Sequence, residues 1–233
     1  MLFTQGVNKT KKMENFDKKE YDVTIKHPFS MLLMGMRGSG KTNFIKDLLL
    51  SDYLINLPDK IYFVCDSFQD NHFNPLKKYY KDRISFVEDL PSYEEMENSL
   101  IIIDDQMNTA LTNESVLKAY FKGRHKSISI LVSIQAIFSN QGKNNLKTIS
   151  INSDFLVLFP SLKVGDSVKI LSRQIYQDLW KFMYYSYEDT RKSQPYPHLL
   201  IDNRPQISEK IRLRANIFTN LPNIQVYTPK NST

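Results

Sequence analysis

The 233 residues contain one cysteine, Cys65. An internal disulfide is therefore excluded, and an intracellular, reducing compartment is expected. Cys65 closes the apolar run 61–65 and reads as a buried core thiol. No stretch approaches the roughly 20 consecutive apolar residues of a membrane-crossing helix, so no membrane span is expected. Residues 1–20 are rich in Lys and Asn and lack an apolar centre, unlike a secretory signal. Glycine is also scarce. There are seven, and three of them, Gly35, Gly38 and Gly40, fall within six residues, which marks a backbone under unusual conformational demand.

What is present describes a globular body: 41% hydrophobic and 24% charged residues in a length typical of one domain. The net charge of +6 suits a polyanionic partner. Residues 1–20 read as a flexible basic arm, 21–204 as the domain, and 205–233, which mixes polar residues with short apolar runs, as an irregular C-terminal extension. Within the domain, strands are expected over 30–34, 61–65, 84–87, 100–104, 128–134, 155–159 and 198–201. Helices are expected over 41–50, 114–122 and 166–187, the last from the spacing of Val168, Leu171, Ile175, Leu179 and Phe182, with Asp166 as N-cap. Leu100-Ile-Ile-Ile103 is apolar without alternation, as strands covered on both faces are. Alternating strands and helices predict an α/β sandwich around a mostly parallel sheet.

Gly35-Met36-Arg37-Gly38-Ser39-Gly40-Lys41-Thr42 matches G-x-x-x-x-G-K-[ST] at every fixed position, between an apolar strand and an amphipathic helix. Glycines let such a loop curl and turn its N–H groups toward phosphate oxygens, and the helix N-terminus that follows favours an anion. These eight residues and Asn43 are the candidate ATP-binding set. Lys41 would reach the β- and γ-phosphates, and the Thr42 hydroxyl would ligate Mg²⁺. The run 99–103 ends in Asp104-Asp105. Asp104 would complete the Mg²⁺ site, and Asp105 would orient or deprotonate the attacking water. Gln135, at the tip of the next strand, would sense the γ-phosphate.

The ordered set of these segments, with Gly123-Arg124-His125, Asn152-Ser-Asp154, Ser172-Arg173-Gln-Ile-Tyr176 and Tyr196-Pro-His-Leu-Leu-Ile-Asp202, resembles the FtsK–HerA superfamily of P-loop ATPases. Within it, the likeness is to the genome-packaging ATPases of poxviruses, other large DNA viruses and virophages, and it covers about residues 28–203. The resemblance implies a three-layer P-loop NTPase fold of the additional-strand, RecA/ASCE-like type. It also implies a homo-oligomeric ring, a pentamer or hexamer, that hydrolyses ATP to drive double-stranded DNA into a preformed capsid. The capsid protein would be a further partner, and the host cytoplasm, the viral factory or the virion the setting. Asp105 stands where related ATPases more often carry Glu. The resemblance further implies an arginine reaching the neighbouring subunit's ATP; Arg124 is the first candidate and Arg173 the second. His125 reads as structural. DNA contacts would be to phosphates, with the polar stretch 141–147, carrying Lys143 and Lys147, either a channel loop or a solvated one. Tyr184, Tyr185 and Tyr187 read as packing residues.

Two other classes fit the phosphate loop. A nucleoside or nucleotide kinase would need an arginine-rich lid, which the sequence lacks. A nucleotide-gated scaffold binding DNA or capsid without turnover would have little use for Lys41, Thr42 and Asp104 together. A transfer or repair translocase of the same superfamily would share the mechanism, although the chain leaves little room for a separate DNA-recognition domain.

Overall fold

The computed structural model describes residues 11–17, 22–65, 71–135, 143–161, 165–192, 196–218 and 223–229. Six parallel strands form one part of a ten-stranded sheet. In spatial order they are β9 (Phe155–Leu158), β3 (Ser30–Met34), β8 (Ile128–Ile134), β7 (Ser99–Ile103), β5 (Lys60–Val64) and β6 (Ile84–Val87). On the far side of β9 the sheet continues antiparallel through β10 (Leu199–Asp202), β11 (Leu213–Ala215), β12 (Asn223–Pro229) and β1 (Lys11–Asp17). A separate parallel pair joins β2 (Ile25–Lys26) to β4 (Leu54–Ile55). The order β3-β8-β7 places one strand between the phosphate-loop strand and the acidic strand, the inserted strand that the additional-strand fold requires.

Strand periodicity divides the core in two. Met31 and Leu33 of β3, Leu100 and Ile102 of β7 and Val157 of β9 face α1 (Lys41–Leu50) and α2 (Asn74–Tyr80). Leu32, Met34, Ile101, Ile103, Leu156 and Leu158 face the other way, toward α3 (Met107–Thr112), α4 (Glu114–Lys122), α5 (Lys143–Asn152), α6 (Gly165–Tyr176) and α7 (Trp180–Thr190). This is a three-layer α/β sandwich whose central strands are buried on both faces, which is why their sequences do not alternate. Truncating a residue such as Ile102 to Ala is expected to cost about 2–5 kcal/mol.

Several expectations are corrected. Residues 205–233 are not irregular throughout, since β11 and β12 belong to the main sheet. The arm expected over 1–20 contains β1, which pairs with β12 from Lys11↔Pro229 to Asp17↔Asn223. The C-terminal strands are tied in by Arg214, fully buried, which donates to Asp202 Oδ2 (2.5 Å), Val23 O (3.2 Å) and Ile211 O (2.8 Å). The helix expected over 166–187 is two helices, α6 and α7, separated by a 3₁₀ turn, Gln177–Leu179. Gln177 has φ +41°, a conformation that no α-helix continues through, and Asp166 lies inside the first turn instead of capping it. Within the stretch 141–147, residues from Lys143 onward belong to α5, so Lys147 is helical; Gln141 and Gly142 lie outside the described residues. Cys65 and Tyr187 are buried, as expected.

Candidate nucleotide site

The carboxyl ends of β3, β7 and β8 lie side by side, the place where α/β sheets bind ligands. Residues 35–40 leave β3 there. Gly35 N donates to Ile134 O (3.2 Å), and Phe159 N to Met34 O (2.9 Å), which fixes the loop's exit between β8 and β9. Gly38 (φ +75°) and Gly40 (φ +97°) occupy left-handed conformations that L side chains resist. At Gly35 a Cβ would lie 2.6 Å from Phe159 Cβ, so that glycine is demanded by space. Helix α1 starts at Lys41 with no side-chain cap on its N-terminus and no acid in its first turn. Its first N–H groups are thus left for an anion.

Lys41 is buried and folds back over the loop, donating from Nζ to Gly35 O (2.9 Å) and Met36 O (3.1 Å). Burial lowers its pKa, while Asp105 and Asp104 oppose that shift. Thr42 Oγ1 donates to Asp104 Oδ2 (2.6 Å), joining the phosphate loop to the end of β7. Burial raises the Asp104 pKa against the opposing pull of Thr42, Ser133 and Lys41. Asp104 N is held by Val64 O (3.0 Å), so the carboxyl is anchored at its backbone.

Four buried side-chain polar atoms lack a partner among the described residues, and three of them, Ser39 Oγ, Asp104 Oδ1 and Ser133 Oγ, belong to this site. Ser133 is close enough to pull on Asp104, and neither serine lines the cavity beside the phosphate loop, so it is Asp104, which does, that has a carboxyl oxygen left for a ligand. The donor set suits Mg²⁺. One carboxylate and one hydroxyl leave most positions to phosphate oxygens and water, and no cluster of three or more His, Cys, Asp or Glu that could hold a metal occurs among the described residues.

Asp105 is exposed, adopts φ +61°, and accepts a hydrogen bond from Gln135 Nε2 (2.7 Å). The two residues assigned to the water and to γ-phosphate sensing are thus in contact. Arg37, Gly38, Gly40, Lys41, Thr42, Asn43, Asp104 and Asp105 line one cavity of about 330 Å³. His72 and Tyr196 line it too, and neither was assigned to it from sequence. Met36, partly buried, presents its carbonyl to Lys41.

The two candidate arginines are elsewhere. Arg124 pairs with Asp154, whose other oxygen accepts from Ser30 N (2.8 Å) and Ser30 Oγ (3.1 Å). Ser30 begins β3, so this cluster lies at the opposite end of the strand from the phosphate loop. The Arg124 side chain is 68% exposed. Arg173 lies over the Trp180 ring, 4.2 Å from its centroid.

No family model matches the chain, and no curated protein sequence matches it. Solved structures do. The genome packaging NTPase B204 from Sulfolobus turreted icosahedral virus 2, in complex with sulfate, is similar at TM-score 0.53 and 12% identity, over 81% of this chain and 95% of that one. The same protein in complex with ATP-gammaS matches at TM-score 0.52 and 11% identity, over 80% and 96%. B204 from Sulfolobus turreted icosahedral virus, described as a DNA-packaging ATPase, matches at TM-score 0.52 and 15% identity, over 81% and 97%. At these identities the likeness is one of fold, and it is the fold that the resemblance to viral packaging ATPases implied.

Proposed function

We propose that this chain is an ATP-hydrolysing motor that packages double-stranded viral DNA into a preformed capsid, working as a homo-oligomeric ring. The observation that carries the catalytic part is the Thr42–Asp104 contact, which joins the phosphate loop to an acid bearing an unpaired buried oxygen. Thr42 and Asp104 would hold Mg²⁺, which neutralises charge on the β- and γ-phosphates when bound. Lys41 exchanges its loop carbonyls for phosphate oxygens. Asp105, oriented by Gln135, takes a proton from water as that water attacks the γ-phosphorus. The bond to the β–γ bridging oxygen breaks, and ADP and phosphate leave.

The packaging part is supported by the fold shared with B204 and by the ordered motifs. It is further supported by the net charge of +6, which suits a polyanionic partner. In the ring, an arginine of the neighbouring subunit completes each site. Arg124 is the first candidate and Arg173 the second; both are exposed, Arg124 in an ion pair with Asp154 and Arg173 over the Trp180 ring. Contacts to DNA are to phosphates, hence sequence-independent and weakened by salt.

The test is ATP hydrolysis by the assembled protein with and without duplex DNA, against Lys41→Ala. Stimulation by DNA in the unaltered chain and loss of turnover in the variant are expected. Equal turnover in the two would leave a nucleotide-gated scaffold, and phosphate transfer to a deoxynucleoside would leave a kinase.

A further inference from the structure

A second cavity, of about 450 Å³, opens beside the phosphate cavity at the start of α1. Gly40, Asn43 and Tyr196 line both, so the two meet around one tyrosine ring. Asp104 and Asp105 line only the first cavity, and Phe44, His198 and Phe218 only the second. A triphosphate whose γ end lies at the two acids therefore directs its nucleoside past Asn43 and toward Tyr196.

Tyr196 is held there at a cost. It adopts φ +66°, a left-handed conformation that an aromatic residue rarely takes, and is 55% exposed. It packs so closely on the loop that a Cβ at Gly40 would lie 2.7 Å from Tyr196 Cβ and 2.8 Å from its Cδ1. Behind it the cavity wall is closely packed and hydrogen-bonded. Buried His198 accepts from Ile217 N (3.1 Å) at Nε2, and its backbone exchanges hydrogen bonds with Asn216 in both directions. Phe44 and Phe218 pack on the His198 ring at centroid distances of 4.9 and 5.7 Å. A strained, exposed aromatic fixed between a phosphate site and an aromatic-walled cavity of ligand size is suited to one task, presenting its face to a planar ring.

We infer that the second cavity receives the nucleoside of the triphosphate and that the base stacks on Tyr196. The inference rests on the phosphate-loop reading above and assigns the other half of the ligand. Stacking reads the face of a base rather than its edges, so Tyr196 contributes affinity for the nucleoside and none for the phosphates.

The experiment titrates Mg²⁺·ATP and inorganic tripolyphosphate against the full chain, Tyr196→Ala and Tyr196→Phe. Tyr196→Ala is expected to weaken ATP binding roughly tenfold to a hundredfold, the range of one base–aromatic stack. It should leave tripolyphosphate affinity within about twofold, and Tyr196→Phe should restore ATP binding, because the ring and not the hydroxyl is used. The inference is overturned if Tyr196→Ala binds ATP as the unaltered chain does. It is equally overturned if both ligands weaken together, since Tyr196 would then be propping the loop, or if Tyr196→Phe fails to restore binding. An unaltered chain that binds neither ligand overturns the phosphate-loop reading itself, a result distinct from the other three.

Discussion

Gln135 Nε2 donates to Asp105 Oδ1 over 2.7 Å, linking the tip of β8 to the tip of β7 beside the phosphate loop. Aspartate is one methylene shorter than glutamate, and its amide partner fixes the carboxylate's direction. Asp105→Asn is expected to retain ATP binding and to slow turnover about 10²- to 10⁴-fold, the usual contribution of a positioned general base. Gln135→Ala should slow turnover less. The double variant should be no slower than Asp105→Asn, because the amide acts through the carboxylate. Single-turnover rates of the four proteins check this, and additive losses would assign Gln135 an independent role at the phosphate.

The elevated pKa of buried Asp104 predicts how metal affinity depends on pH. Only the carboxylate binds a cation strongly, so protonation competes with Mg²⁺, and the competition begins at a higher pH than for an ordinary aspartate. Titration of Mg²⁺ in the presence of ATP should show affinity falling as pH is lowered, with proton release on binding at the acidic end. Asp104→Asn should bind Mg²⁺ more weakly and lose that part of the pH dependence. A pH profile identical in the variant would exclude Asp104 from the metal site.

The phosphate loop was legible because its chemistry depends on residues fixed within eight positions, and Asp104-Asp105 because a fully apolar strand announces its own end. Tyr196 and His72 were not assigned to the site, since they reach it by tertiary approach, and no local pattern states that Tyr196 lies on Gly40. The break at Gln177 escaped because apolar spacing continues across it: Val168 and Leu171 before the turn and Phe182 after it face the same core. Arg214 reads as a surface residue in any sequence pattern, yet it is fully buried against Asp202. The alternation of Ile224 and Val226 with polar neighbours was a strand signal available in the sequence, and it identifies β12.

Buried His198 predicts acid sensitivity of the fold. Burial holds its pKa down to about 4, from 6.5, so the unfolded chain binds a proton between these values that the folded chain does not. Stability therefore rises with pH across that window, is complete above about 6.5, and is lost as pH falls toward 4, by up to about 3 kcal/mol. Urea unfolding of His198→Gln, compared with the unaltered chain from pH 4.5 to 7, should show a shallower decline in the variant. Parallel pH profiles would assign the acid sensitivity to other groups.

Arg124 tests whether the site is shared between subunits. Its pair with Asp154 lies at the end of β3 away from the phosphate loop, so it has no route to the ATP of its own subunit. The Arg124 side chain is mostly exposed but that of Asp154 is 11% exposed, so Arg124→Ala leaves a mostly buried carboxylate held by Ser30 and should lower stability by about 1–3 kcal/mol. Loss of turnover in a protein that still folds would place the arginine in the mechanism, and mixed rings then tell in which subunit it acts. Rings mixed from Arg124→Ala and Lys41→Ala subunits should recover part of the activity that each lacks alone, because an Arg124→Ala subunit keeps its own Lys41 and can border a Lys41→Ala subunit that still carries Arg124. Since one arginine finger is worth about 10³–10⁵ in rate, even a small fraction of such pairings is measurable. Full activity of Arg124→Ala alone would remove it from the mechanism, and inactivity without rescue would tie it to its own subunit through Asp154 and Ser30.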